Sequence, residues 1–175
     1  MRKMKRPLVT AVIIIISFLL ESTVFQALSF ASVSPNLLII VTSAFGFMRG
    51  KREGMFVGFF SGLVYDIFFG EWVGLYALIY MLLGYINGFF KQIFYPEDIK
   101  LPLILIGISD FIYGNVICIL MFIMRSEFHY SYYLMNIIIP ELIYTVLITL
   151  ILYQIILHIN QKLESEEKRS ASKFV

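Results

Sequence analysis

Charged residues are scarce in this sequence. Only 15% of its 175 residues are Asp, Glu, Lys or Arg, and 59% are hydrophobic, whereas a soluble domain is about 25% charged. A soluble chain of this length could not bury so much apolar surface. The composition therefore excludes an ordinary soluble protein and predicts an integral membrane protein. The net charge of +2 is too small to indicate a nucleic-acid partner.

Cysteine and histidine are nearly absent. A single cysteine, Cys118, excludes an internal disulfide, and its apolar surroundings in the sequence are typical of a small buried hydrophobe. His129 and His158 have no cysteine or carboxylate at ligand spacing. We therefore expect no metal site and no cofactor.

Catalytic motifs are missing as well. A membrane protease would carry a paired aspartate motif, a Ser–His pair or HExxH, and the sequence contains none of these. The basic inner segments RGKRE and KQIFYPEDIK lack the Arg, Asp and His cluster of a phosphoryl-transfer enzyme. We therefore expect no catalytic residues and no enzymatic activity.

The few charges divide the chain into apolar blocks. Blocks 7–48 and 54–90 are about 63 Å and 55 Å long as helix, roughly two bilayer cores each, and both contain turn residues, SVSPN and GEWVG. The two later blocks are one span long each. We predict an all-α polytopic bundle over residues 1–160, followed by a charged tail over 161–175 that frays. Its six helices are expected near 7–30, 36–48, 54–69, 74–91, 101–124 and 135–159.

Basic residues set the predicted orientation. With a cytoplasmic N-terminus, 13 of the 14 Lys and Arg residues lie on the inner side and only Arg125 lies outside. Such an excess of Lys and Arg is typical of the cytoplasmic segments of membrane proteins. Both termini are therefore expected in the cytoplasm, with Trp72, His129 and the nearby tyrosines at the outer boundary.

The N-terminal segment 1–31 also fits a second interpretation. MRKMKR followed by about fourteen apolar residues resembles a signal peptide, and Ala27 with Ser29, or Ser29 with Ala31, could form its cleavage site. The apolar character continues past Glu21, which favours a retained first helix.

Four carboxylates fall inside or near the predicted spans: Glu21, Asp66, Asp110 and Glu141. A charge within a membrane helix costs at least about 2.5 kcal/mol, so it usually faces protein or water. No Lys or Arg lies within the spans to pair with them, so they must be hydrogen-bonded, hydrated or protonated. They could form an ion or proton path, contact a substrate, or link helices. Asp66 and Glu141 could instead lie near the outer interface.

Small residues recur at every fourth position of the third predicted helix. The row consists of Gly54, Gly58, Gly62, Asp66 and Gly70, extended by Gly74, and the fourth helix carries Gly84 and Gly88. Such faces let two helix backbones approach closely in a membrane. We predict that the two helices pack on each other through these residues or that the row receives a partner helix.

Several of these features occur together between Pro35 and Phe90. PNLL opens the second helix, Arg49 and Arg52 follow its end, and the glycine-rich third helix ends in Asp66. The fourth helix is opened by Gly70, Gly74, Leu75, Ala77 and Leu78. This pattern resembles the MreD family of rod-shape-determining proteins, and SDFIYG at 109–114 is consistent with it.

The resemblance implies a non-enzymatic component of the bacterial cell-elongation machinery in the cytoplasmic membrane. Members of this family act with the coiled-coil protein MreC and the actin-like MreB filament, and they help organise the peptidoglycan synthases of the lateral wall. We therefore expect the chain to bind MreC through Gly58, Gly62 and Asp66, with Gly84 and Gly88 supporting the hairpin.

The family's helix layout is also similar to that of the substrate-binding S components of energy-coupling-factor vitamin transporters. The alternative function is therefore a transporter subunit that holds a small vitamin-like ligand. Its outward pocket would be lined by aromatic residues and by Asp66, Asp110 or Glu141.

Overall fold

The computed structural model describes residues 5–27, 33–70, 73–93, 99–125 and 130–171. These residues fold into six continuous helical segments, which confirms the predicted all-α membrane fold. Ser29, Ala31, Trp72 and His129, named above for a cleavage site and for the outer boundary, lie outside the described residues.

The helices follow the predicted blocks, with irregular turns added. They are α1 (Lys5–Leu19) continued by a π-helix (Leu20–Phe25), α2 (Leu37–Arg49), α3 (Lys51–Phe69), α4 (Leu75–Asn87) continued by a 3-10 helix (Gly88–Ile93), α5 (Lys100–Arg125), and α6 (Tyr130–Tyr133), which runs through a π-helix (Leu134–Ile138) into α7 (Ile139–Ala171). The pattern of apolar residues does not predict the two π-helices, because a π-helix differs from an α-helix in its hydrogen-bond spacing and not in its composition.

Helix α2 is the centre of the bundle. Every residue from Leu37 to Met48 is buried, and α1, α3, α4, α5 and α7 all contact it. Its apolar residues occupy all faces, which is typical of a fully enclosed helix. The core of the protein is therefore this one helix together with the inner faces of its neighbours.

Three helical stretches are long and apolar enough to cross a membrane among the described residues: Arg6–Phe25, Lys100–Ile123 and Tyr130–Glu167. Helix α2 is shorter, with 13 residues or about 20 Å, against a bilayer core of about 30 Å. Because the other helices enclose it, its ends need not reach the lipid headgroups. That all six segments cross the bilayer stays a prediction.

The last helix continues into the charged tail. Residues 161–171 belong to α7, in the segment predicted to be a solvated helix end. Most of these residues have high helix propensity, and Glu167 on this extension pairs with Arg6, with Oε1 2.8 Å from Nε. The charged end of α7 is therefore held against the N-terminal end of α1.

Candidate functional site

The glycine row of α3 lies directly against α4. A Cβ atom built on Gly58 would overlap the carbonyl oxygen of Tyr80 and lie 2.6 Å from its carbonyl carbon. One built on Gly62 would lie 2.5 Å from the Cα of Ala77. One on Gly84 would overlap the carbonyl oxygen of Gly54. The two backbones therefore touch along the row, and no side chain larger than hydrogen fits between them.

Contacts between glycines also bring α2 and the α2–α3 turn close to α3 and α4. A Cβ on Gly54 would lie 2.6 Å from the Cα of Gly46, and one on Gly46 would lie 2.8 Å from the carbonyl oxygen of Gly84. Gly88 lies against the α2–α3 turn, where its Cβ would be 2.7 Å from the carbonyl carbon of Gly50. Sequence reasoning missed Gly46, although it stands eight residues before Gly54 and in step with the row.

Asp66 joins the hairpin at its other end. The side chain is 1% exposed, and its carboxylate accepts hydrogen bonds from the backbone N–H groups of Gly74 at 2.9 Å, Tyr76 at 3.0 Å and Ala77 at 2.9 Å. The first N–H groups of a helix have no partner within the helix and favour a negative charge. Asp66 therefore caps α4 from the preceding helix.

The glycine row and Asp66 both make their contacts within the α3–α4 hairpin. Helix α4 fills the groove formed by Gly54, Gly58 and Gly62, and Asp66 directs both of its oxygens at backbone groups of the same hairpin. A partner helix would have to displace α4 to reach the glycines.

A buried polar cluster surrounds the N-terminus of α2. Its centre is Asn36, whose Oδ1 accepts hydrogen bonds from the backbone N–H of Ile39 at 3.0 Å and from the Tyr80 hydroxyl at 2.9 Å. The Asn36 backbone N–H donates to Oγ1 of Thr145 at 3.0 Å. We call Glu21, Asn36, Tyr80, Asp110, Glu141 and Thr145 the Asn36 cluster.

The remaining three carboxylates converge on this cluster. The Glu21 Oε2 accepts from the backbone N–H of Leu38 at 3.2 Å, Glu141 interacts with the Asn36 side chain, and Asp110 interacts with the Thr145 hydroxyl. Each carboxylate comes from a different helix around α2. Among the residues that the structure describes, no three His, Cys, Asp or Glu side chains are placed to hold a metal ion.

A second polar contact lies deeper along α2. The Asn87 side-chain amide is 2.9 Å from the Leu83 carbonyl oxygen, 3.3 Å from Oγ of Ser43 and 2.8 Å from Oγ of Ser109. Asn87, Ser43 and Ser109 are all buried. The contact ties α4 to α2 and α5. Sequence reasoning missed it, and the only signal was the presence of polar residues within apolar runs.

An open groove lies between α1 and α3, on the other side of α3 from α4. Its volume is about 680 Å³. The floor is apolar, with Arg6 and Glu53 at one end, and the lining residues are Arg6, Pro7, Thr10, Ala11, Ile14, Ile15, Glu53, Phe56, Val57, Phe60 and Val64. We call this feature the α1–α3 groove. None of the four intramembrane carboxylates lines it.

Replacing Asn36 with leucine is expected to destabilise the protein by about 2 kcal/mol. The change removes the cap of α2 and leaves the buried Tyr80 hydroxyl without its acceptor. Thermal unfolding of the purified protein in detergent measures the loss. Asn136→Leu is the control, because that exposed side chain donates to the Tyr132 carbonyl oxygen within its own helix turn. Equal stability of the two variants would contradict the role of Asn36.

Comparison with known proteins identifies a family. The family model described as rod shape-determining protein MreD matches residues 1–163. No curated protein and no solved structure matches the chain. The match covers all the helices described here except the end of α7, and it includes Asn36, Asp66 and the glycine row. The chain therefore belongs to the MreD family of rod-shape-determining membrane proteins.

Proposed function

We propose that this protein is a non-enzymatic scaffold of the bacterial cell-elongation machinery in the cytoplasmic membrane. It binds MreC and, with MreB and the elongation synthases, helps organise lateral peptidoglycan synthesis. Family membership supports this role. The hydrogen bonds of Asp66, Asn36 and Asn87 also support it, because they hold helices together. A rigid bundle presents a surface of constant shape to a partner.

The α1–α3 groove is the surface that we assign to MreC, and its open apolar floor carries the proposal. Phe56 and Phe60 are 59% and 53% exposed along one wall, and the small side chain of Ala11 leaves space opposite them. A single membrane helix of MreC would place apolar side chains on this floor. Helices associate in lipid through such close packing, because lipid provides no hydrophobic drive between them.

The ion pairs at the end of the groove would orient the partner helix. Arg6 NH1 lies 3.7 Å from Oε2 of Glu53, and Glu53 also binds Arg49 at 3.0 Å. Arg6 and Glu53 carry opposite charges and line only one end of the groove. A partner helix with polar or charged residues at one end alone therefore fits the groove in a single direction.

Filling the groove is expected to weaken MreC binding. The Ala11→Trp side chain would occupy the space of the partner helix, and overpacking of about 1–3 kcal/mol corresponds to a roughly fivefold or greater loss of affinity. Co-purification of MreC from membranes that express both proteins measures the effect.

Ile151→Trp is the matched control, because Ile151 is 64% exposed on α7 and lies outside the groove. Full MreC recovery with a folded Ala11→Trp variant would reject the groove. Absence of MreC from the wild-type preparation would reject the partner itself.

Cells depleted of the protein are expected to round up and lose lateral wall growth. A normal shape with a nutrient defect would reject the scaffold role.

The transporter-subunit alternative stays a prediction. It needs a pocket lined by aromatic residues and Asp66, Asp110 or Glu141, whereas the α1–α3 groove contains none of these carboxylates. Thermal stabilisation by one member of a vitamin panel would support the alternative. Recovery of an ATPase module in place of MreC would do the same.

A further inference from the structure

The Asn36 cluster gathers negative charge from three helical segments. Glu21 comes from the π-helix after α1, Asp110 from α5 and Glu141 from α7, and each is close enough to interact with at least one of the others. The other titratable groups that face the cluster are all tyrosines, namely Tyr65 from α3, Tyr76 and Tyr80 from α4, and Tyr113 from α5.

No basic side chain of the described residues lies in this cluster. Arg6 is 15 residues before Glu21 on the same helix, about 22 Å away. Lys100 is ten residues before Asp110 and His158 is 17 residues after Glu141, at about 15 Å and 26 Å. Within the described part of the chain, no basic side chain therefore supplies a counter-charge at the depth of the three carboxylates.

Asp110 has an oxygen that no group among the described residues satisfies. The residue is 3% exposed, and its Oδ1 is buried without a hydrogen-bond partner there. Thr145 interacts with this carboxyl group, yet it leaves Oδ1 open. A buried charged oxygen without a partner is strongly unfavourable. Oδ1 of Asp110 therefore favours a positively charged ligand.

The geometry points to the Asn36 cluster as a site that binds one small monovalent cation, either H⁺ or Na⁺, at Oδ1 of Asp110. A single positive charge lowers the cost of placing three carboxylates in a membrane interior. Among the described residues the three carboxylates are not placed to ligate one metal ion together, which disfavours a divalent ion. It leaves room for a proton, or for Na⁺ held by one or two carboxylates and the neutral oxygens nearby.

Glu21 and Glu141 are partly buried, whereas Asp110 is enclosed. The bound charge would link the segments that carry these residues to the N-terminus of α2. Cation binding would therefore stiffen the bundle, and this effect does not depend on the proposed binding of MreC.

The test is the thermal stability of the purified protein in detergent under two titrations. In one, NaCl replaces choline chloride at constant ionic strength and fixed pH. In the other, the pH falls from 8 to 5 without Na⁺. A ligand that binds only the folded state raises the midpoint with its concentration. We expect wild-type protein to gain about 3 °C or more in at least one titration.

Asp110→Asn should abolish the gain, because a neutral carboxamide removes the charge that the cation balances. Glu141→Gln provides a second variant if Asp110→Asn does not fold. Glu164→Gln, on the charged end of α7, should keep the wild-type response. A response to Na⁺ identifies the ion, and a response to pH alone identifies the proton. Equal midpoint shifts in wild type and Asp110→Asn, or no shift in either titration, would overturn the site.

Discussion

Gly58→Ala is expected to destabilise the protein by about 3 kcal/mol or more, although it adds a single methyl group. That methyl would overlap the backbone of Tyr80 and Met81, and backbone atoms cannot move aside as the end of a side chain can. Overpacking usually costs about 1–3 kcal/mol, and here α3 would have to separate from α4. The midpoint of thermal unfolding, followed by size-exclusion chromatography after heating, measures the change.

Gly107→Ala is the matched control. Its nearest atom to a new Cβ is Cγ2 of Val146, at 3.4 Å, so the methyl fits with little adjustment. Alanine is favoured over glycine inside a helix by about 0.5–1 kcal/mol, and Gly107 lies within α5. We therefore expect the control to be neutral or stabilising. If both variants melted together, α3 and α4 would not be in backbone contact.

Asp66→Ala is expected to cost about 3 kcal/mol or more. The substitution removes a carboxylate that satisfies three backbone N–H groups at the start of α4. Hydrogen bonds to a charged group contribute about 1.5–3 kcal/mol each, and Asp66 is 1% exposed. The same melting measurement detects the loss.

Asp66→Asn should fall between wild type and Asp66→Ala, because one amide oxygen can still accept from part of the helix end. Glu164→Ala serves as the control for removing an acidic side chain outside the bundle core. If the Asp66→Asn variant were as stable as wild type, the carboxylate charge would not be needed to cap α4. Hydrogen exchange at the amides of Tyr76 and Ala77 would locate the opened end.

The fold class could be read from the sequence because it depends on composition and charge spacing alone. The apolar blocks account for the helical segments, since a block of about 40 residues cannot cross a bilayer only once. The glycine row also has a local cause, because its four-residue step is a property of one helix. Gly54 and Gly62 therefore stood out before any tertiary contact was known.

The Asn36 cluster could not be predicted in the same way. Asn36 and Thr145 are 109 residues apart, and nothing in either local sequence indicates the other. Glu21, Asp110 and Glu141 were recognised as unusual, but their meeting depends on how five helices surround α2. The end of α7 could not be placed from hydropathy, because hydropathy indicates where a helix leaves the lipid and not where the helix ends.

The enclosed position of α2 has a consequence for biosynthesis. The backbone N–H of its cap residue, Asn36, donates to Thr145 of α7. The ribosome adds Thr145 109 residues later, a delay of roughly 5–20 s at 5–20 residues per second. Until then the helix is too short and too polar at one end to settle as an independent span. The second helix to emerge is therefore among the last to reach its final environment, and a nascent chain that stops before α7 should be a substrate for membrane quality control.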